Sequence, residues 1–591
     1  MSETDLGPED PAAAVAAEPR GPVTQSAPEP PEAPGAEAPG AEPPEAGRAG
    51  RRWSRWLVIA APMAVSAVTG GYEIGSPSLW RDEAYTKDAI GRSAGQLVAL
   101  LGHQDAVHGA YYLLMHVIAG VIGTSATALR FPSLCAMVVA TGFTAAIARR
   151  AATPARPPSA RPPSAGSSSA GPGRGLDIPA LTGLLSGLLF ATAPYMTYYA
   201  QMARSYALET MFAAIATYLL LRAWPDGRWR WWLGYGAAVA LTGLLNIFGL
   251  LILAAHAVTL LLASARGRLA DGGQAAAGRR AGRIPWRWLA VSAAAVAVLS
   301  PLLVVAGNQQ QQISWLARPN LKAIERLLST TAGSRDLVLP FALLALAGLV
   351  TAGLADKWRP MNPAAVALPW LVMPSFLLIA ASFVKPVYYV RYVEFCLPGL
   401  AIVAGAGLTG LIRLAARTPL VRLRPAGLNW AWAGPWLPAV LVVAVLAVLL
   451  AGPQQAIRRS AARPDNLRRA SAIVAAQEQP GDVVFYIPFT MHVLGTGYPA
   501  PFGKLRDLAL NKSAIASATL TGTEITSRAE LKSRFTDVRR VWVVTGASNY
   551  RFPKPATKMD KEKMALLAAA GLHILGRWQA GEVMLTLYGS L

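Results

Sequence analysis

The chain has 591 residues, of which 53% are hydrophobic and 15% charged, a balance that excludes an ordinary soluble globule and marks a polytopic α-helical membrane protein. The net charge of +22 would suit a nucleic-acid binder, but the arginines stand in short clusters between apolar runs, as in cytoplasmic loops, and form no continuous footprint. Nucleic acid is set aside as a partner. The two cysteines, Cys135 and Cys396, fall inside apolar runs, which argues against a disulfide framework, and no metal-ligand spacing is present.

In chain order, residues 1–50 are built from Pro, Ala, Glu and Gly and are predicted to be a disordered tail, since they carry too little apolar surface to offset the entropy of ordering. The basic cluster Arg48, Arg51, Arg52 and Arg55 holds that tail in the cytoplasm and sends the first apolar segment, 56–72, outward. Next comes Leu79-Trp80-Arg81-Asp82-Glu83-Ala84-Tyr85-Thr86, within a loop, 75–127, predicted to be exoplasmic. Charges beside a span are costly to keep near the bilayer and mark a site, so Asp82 is the leading catalytic candidate. Glu83 is expected to orient Asp82 or to pair with Arg81, and a plain salt bridge between Arg81 and Asp82 is the structural alternative. A second polar cluster, His103-Gln104-Asp105-Ala106-Val107-His108, runs into Tyr111 and Tyr112, read as interface anchors. Residues 109–123 are short for a roughly 20-residue span and are read as a juxtamembrane helix.

The remaining spans are placed near 131–148, 178–194, 206–221, 231–246, 248–262, 289–307, 337–355, 364–383, 393–411 and 436–451, about 11 in all. This choice puts every arginine-bearing loop (149–174, 222–230, 266–287, 357–359, 413–424) in the cytoplasm. Residues 308–328, with Trp315 and an amphipathic run, form an exterior lid; Trp315 either stacks on a sugar or belongs to the aromatic belt. His256, inside an apolar span, reads as a satisfied core histidine. From 454 to 591 the pattern changes to strand-like runs at 482–487, 540–545 and 583–588 alternating with helical patterns at 465–476 and 561–570, a soluble exoplasmic α/β domain with no phosphate loop or nucleophile elbow. It reads as an appendage that stabilises the fold or docks an acceptor.

The order of these motifs, Asp82-Glu83, the 103–112 cluster, Ala128-Leu129-Arg130-Phe131-Pro132-Ser133, then Tyr199-Ala200-Gln201-Met202-Ala203-Arg204-Ser205-Tyr206 and Tyr389-Val390-Arg391-Tyr392, resembles GT-C glycosyltransferases. By pattern it is most similar to family 39 protein mannosyltransferases, lipid A aminoarabinose transferases and rhizobial lipopolysaccharide glycosyltransferases. The resemblance covers roughly 53–451 and implies a sugar transferase in a bacterial cytoplasmic membrane. Its donor would be a polyprenyl-phosphate sugar, with mannose the first guess, and its acceptor a cell-envelope glycan, glycolipid or secreted protein. No cofactor is implied and no divalent metal is indicated. Asp82 would take the acceptor hydroxyl proton. Arg204, Lys385 and Arg391, at predicted exoplasmic span ends, would meet the phosphate, although each also fits a snorkelling interface residue. Arg81, Asp105, His108, Tyr206, Trp315 and Tyr392 complete the expected substrate contacts. A transporter or flippase of lipid-linked glycans, or an inactive envelope scaffold, is the alternative.

Overall fold

The computed structural model describes residues 46–154, 177–270, 285–355, 359–415, 436–546 and 557–590. The tail up to residue 45, most of the loop 149–174, the centre of 266–287, Lys357 and residues 416–424 lie outside them. The chain divides into Met1–Arg51 and Arg52–Leu591, and the second unit holds everything below except the first turns of α1.

Helix α1 (Ala46–Gly71) leads to three short helices on one end of a bundle: α2 (Arg81–Ile90), α3 (Ala94–His103) and α4 (Gly109–Ile122). The bundle continues with α5 (Ala126–Ala152), α6 (Ile178–Thr192), α7 (Pro194–Ala200), α8 (Tyr206–Asp226), α9 (Trp229–Leu245), α10 (Ile252–Ala270) and α11 (Trp286–Asn308). After α12 (Leu321–Ala332) come α13 (Val338–Ala355), α14 (Pro363–Val384), α15 (Leu397–Ala415) and α16 (Trp436–Arg458). Local chemistry sets the starts. Ser93 and Gln96 close a capping box on α3, Ser125 caps α5, and Asn362 caps α14 ahead of Pro363.

Among the described residues, six helices are long and apolar enough to cross a membrane, or seven if the pair α6 and α7, bent by 63°, counts as one span. The larger expected number differs because several expected spans fall on shorter helices. Trp56–Gly71 and Val338–Ala352 are such segments, α9 has 17 residues, and much of α16 has side chains outside the described set. Residues 109–122 form the expected short helix.

Helix ends rich in arginine gather at one end of the bundle. Arg359 donates to the Arg150 carbonyl (3.2 Å), Arg150 to that of Leu221 (3.1 Å), and the Arg222 and Arg230 guanidiniums lie 4.7 and 4.8 Å from the Trp231 ring centre. Inside the bundle His256 is satisfied by Thr217 and Tyr235 at 3.0 Å each, as expected of a core histidine.

At the other end sits the C-terminal domain. Its helix α17 (Leu467–Gln477) precedes a five-stranded sheet in the order β2-β1-β5-β7-β6, formed by β1 (Val483–Ile487), β2 (Arg506–Asp507), β5 (Arg540–Gly546), β6 (His573–Ala580) and β7 (Val583–Gly589); β3 (Leu510–Lys512) and β4 (Thr523–Glu524) pair separately. The first three strands of that order are parallel, and β7 pairs antiparallel with both β5 and β6. Alternation along β1 and β5 sends Val483, Phe485, Val541 and Val543 to one apolar layer and Val484, Tyr486, Trp542 and Val544 to the other. The second layer also takes in α17 and, from the loop after α1, Ala84 of α2.

Candidate active site

Asp82 is the second residue of α2, which starts after the extended residue Trp80. Its Oδ2 lies 2.6 Å from a terminal nitrogen of Arg391, in the 3₁₀ stretch Val390–Cys396 that leads into α15. The Arg391 guanidinium is caged by Tyr389 (4.8 Å to the ring centre), Trp80 (5.8 Å) and Tyr392 (5.9 Å). Sequence positions 309 residues apart thus meet in one ion pair. Burial alone would raise the Asp82 carboxyl, but Arg391, Arg204, Arg81 and His108 outweigh it and hold the group below its ordinary value.

Arg204, in the turn before α8, is the second cation. It donates to Nε2 of His108 (2.5 Å), to the Tyr112 hydroxyl (3.1 Å) and, at 3.5 Å, to the Asp82 carbonyl. A guanidinium has no acceptor, so His108 receives that bond on an unprotonated Nε2 and carries its proton on Nδ1. Burial first, and the Arg204 charge second, push the His108 pKa down to about 4, so the ring is neutral at pH 7. Tyr112 passes the chain on to Asp105 Oδ2 at 2.5 Å. Asp105 itself sits at φ 60°, a left-handed conformation that turns the chain from α3 into the 3₁₀ turn Ala106–His108. Asp82, Arg391, Arg204, His108, Tyr112 and Asp105 therefore form one continuous polar cluster.

Several sequence expectations are corrected here. Glu83 neither orients Asp82 nor pairs with Arg81. Its carboxylate, fully buried, binds Arg130 through two parallel bonds (2.8 and 2.7 Å) and accepts the Ala203 amide (2.9 Å), because one residue further along a helix points about 100° away from Asp82. Arg130 in turn donates to the carbonyls of Ile74, Pro77 and Ser78, fastening the loop after α1 to the start of α5. Arg81 pairs with Asp465 of the C-terminal region (3.2 Å). Tyr111 and Tyr112 are fully buried and do not anchor an interface, since their rings pack into the core around Leu129 and Tyr206.

The other expected residues divide. Tyr392 stacks on Phe248 (5.1 Å) beside Arg391, and Trp315, 43% exposed, meets Tyr389 edge-on (5.3 Å), so the lid tryptophan touches the aromatic cage. Tyr206 is buried with its ring edge against Tyr199 (5.5 Å). Lys385 is exposed at the end of α14 and is not part of the polar cluster. Three participants were not expected at the site from sequence: Arg130, which stood inside a quoted motif, Tyr112, which was read as an interface anchor, and Asp465, which carried no local signal.

Beside the cluster lies a cavity of about 370 Å³, largely apolar, with Tyr195, Leu327, Ala345, Leu397 and Leu400 in its wall. Val390 and Val393 line it too, so Arg391 stands between two wall residues. Among the described residues no group of three or more His, Cys, Asp and Glu is placed to hold a metal ion.

A family model described as dolichyl-phosphate-mannose-protein mannosyltransferase matches residues 178–305, from α6 into α11, less than half of the chain. No curated protein matches the sequence. Among solved structures, ArnT from Cupriavidus metallidurans bound to undecaprenyl phosphate is similar with a TM-score of 0.51 at 13% identity, over 90% of this chain and 97% of that one. The oligosaccharyltransferase AglB from Archaeoglobus fulgidus, in complex with an inhibitory peptide and a dolichol-phosphate, gives 0.46 at 11% identity over 84% and 70%. The arabinosyltransferase EmbB from Mycobacterium smegmatis gives 0.36 at 15% identity over 88% and 46%. A membrane helix bundle that carries Asp82 on the loop after its first helix and ends in a strand-containing domain, this chain has the GT-C fold.

Proposed function

We propose that the protein transfers a sugar from a polyprenyl phosphate to an acceptor hydroxyl at the outer face of the cytoplasmic membrane. The observation that carries this reading is the Asp82–Arg391 pair at the side of an apolar cavity. It supports the reading because a carboxylate and a guanidinium lie together next in chain to wall residues of an apolar cavity in which a lipid chain would lie. A phosphate entering beside Arg391 competes with Asp82 for the guanidinium, and once Arg391 turns to the phosphate, Asp82 is released to accept a proton. Arg204 would share the developing negative charge on the leaving phosphate. Neutral His108 offers Nδ1–H, unpartnered among the described residues, to a sugar oxygen. Asp105 and Tyr112 hold Arg204 and His108 in place, and Trp315 with Tyr389 forms an aromatic edge for the sugar ring.

Mannose is the first sugar to test, in line with the family description matched by residues 178–305. The acceptor is a cell-envelope glycan, a glycolipid or a secreted protein. The polar end of the bundle with residues 75–127 and 454–591 faces outward, and the arginine-rich end faces the cytoplasm. The test is transfer from radiolabelled polyprenyl-phosphate sugars by the purified protein in nanodiscs. Asp82→Asn is expected to lower turnover by about 10²–10⁴-fold while donor binding persists, the usual worth of a positioned general base. Near-wild-type turnover in Asp82→Asn would remove the base assignment, and absence of transfer from any lipid-phosphate sugar would remove the reading as a whole.

A further inference from the structure

Helix α2 lacks a cap of its own. Trp80 at its N-cap position offers no side-chain acceptor, which leaves the first amides of the helix to find partners elsewhere. The partner for the Arg81 amide is Asp465, 384 residues further along the chain: its Oδ2 accepts that N–H at 3.1 Å, while its Oδ1 takes the Arg81 guanidinium at 3.2 Å. The Asp465 side chain is only 3% exposed, and a carboxylate at this point also faces the positive end of the helix dipole.

Asp465 is itself held in register. It bridges to Gly581 in the β6–β7 turn, the Asn466 amide donates to the Ala580 carbonyl (3.2 Å), and the Glu582 amide donates to that of Pro464 (2.7 Å). Gly581 has φ +65°, and a Cβ there would lie 2.3 Å from the Pro464 carbonyl oxygen, so only glycine permits this approach. Further contacts keep α2 on the same surface: the Leu79 amide donates to the Tyr498 hydroxyl (3.1 Å), and Lys87 Nζ donates to the Gly497 carbonyl (2.9 Å). Asp82 is the next residue after the capped amide.

We propose that Asp465 is a positioning residue: a helix cap supplied from the C-terminal domain that sets the start of α2 and thereby aims Asp82 at the reacting hydroxyl. This rests on the reading of Asp82 as the base. It gives the C-terminal domain a part in turnover without a group that touches substrate.

The test uses the full-length protein in nanodiscs with a polyprenyl-phosphate sugar as donor, and compares Asp465→Asn, Arg81→Gln and the double variant with Arg468→Gln. Arg468 supplies the control because it bonds the Ser76 and Gly75 carbonyls (2.9 and 3.0 Å) across the same interface but lies off the helix start. Asp465→Asn is expected to lower kcat by about 10- to 100-fold, the scale of a small misplacement of a reacting group, with donor KM within a few-fold of wild type. The double variant is expected to be no worse than Asp465→Asn, and Arg468→Gln to keep wild-type turnover. Hydrogen exchange supplies a readout independent of chemistry. In Asp465→Ala, which removes the acceptor that asparagine keeps, the first-turn amides of α2 should exchange about 2- to 30-fold faster, the range for loss of a cap, while α17 and the sheet stay as protected as before. Unchanged kcat, or equal losses in Asp465→Asn and Arg468→Gln with a general loss of protection, would overturn the proposal. If exchange rises in α2 alone while Asp82→Asn retains turnover, the positioning stands and it is the base assignment that falls.

Discussion

Two adjacent carboxylates, Asp82 and Glu83, have opposite surroundings, and their substitutions should fail in different ways. Glu83→Gln leaves the Arg130 guanidinium, fully buried, facing a neutral amide in place of its counter-charge. Breaking a buried pair in this way costs about 3–5 kcal/mol, so the variant should insert poorly and unfold early in detergent, whereas Asp82→Asn should fold normally and fail only in transfer. A stable but inactive Glu83→Gln protein would show that Glu83 acts in chemistry after all. His108 gives a pH prediction. Its folded pKa, about 4, lies below the ordinary 6.5, so the unfolded chain binds the extra proton first as pH falls. Its contribution to stability is therefore complete above pH 6.5 and is lost between 6.5 and 4. Asp507, raised by burial to about 6, works in the opposite sense, losing its contribution as pH rises from 3.8 through 6. The difference in apparent Tm between wild type and His108→Gln across this range isolates the histidine, and an absent pH trend in that difference would contradict its neutral burial.

At the scale of elements, α13 and α15 approach so closely that their backbones touch. A Cβ on Gly348 would lie 2.1 Å from the Val403 carbonyl oxygen, and one on Gly407 2.0 Å from that of Leu344. Neither obstacle is a side chain that can swing aside. Gly407→Ala should therefore push the helices apart and lower stability by about 1–3 kcal/mol, read as a fall in Tm, and it should also change donor affinity, because Ala345, Leu397 and Leu400 of these two helices wall the cavity. The strands were legible in proportion to their burial. Val483–Ile487, Arg540–Gly546 and Val583–Gly589 follow the expected runs closely since they are β-branched and buried, whereas β6, an edge strand with mostly exposed residues such as His573, Arg577 and Gln579, gave no alternation to read. Asp82 and Arg391 could be picked out because charge beside a span is costly. Arg130 could not, because an arginine at the start of an apolar run looks like an interface residue until its partner 47 positions away is known. Asp465 was still less visible, as it sits in polar sequence where a carboxylate carries no signal. The packing of the C-terminal domain on α2 was invisible for the same reason: Ala84 lies in that domain's apolar layer, a contact no local pattern announces.

For the whole molecule, the contacts of α2 and α3 with the C-terminal domain require residues 75–127 and the sheet to share one side of the membrane. The Arg92 guanidinium donates to the Thr519 carbonyl at 2.5 Å, and Gln104 accepts the Leu520 amide at 3.0 Å. Ala94 and Ala476, both exposed, suit labelling on that side, with exposed Pro154 for the arginine-rich end. In a Cys135→Ser background, Ala94→Cys and Ala476→Cys should react with an impermeant thiol reagent in intact cells and Pro154→Cys only after permeabilisation. Opposite behaviour of the first two would be incompatible with the fold, reaction of Pro154→Cys alone would reverse the proposed orientation, and reaction of all three would contradict the placing of the two ends on opposite sides.

The last helix of the bundle is tied to the first at that same end: the Arg458 side chain donates to the carbonyls of Tyr72 and, through its other end, Thr69, and Gln454 donates to that of Thr192 at 2.8 Å. Ribosomes make these pieces in the reverse of their order of dependence. Asp82 and Arg204 are made early, Arg391 follows, and Asp465 emerges only after the last helix of the bundle. A nascent chain thus holds every proposed reacting group well before it holds the residue that aims the base. Under that proposal, copies that stop short of Asp465 would turn over about 10- to 100-fold more slowly, and the full rate would come only once Asp465 and the β6–β7 turn that holds it have been made.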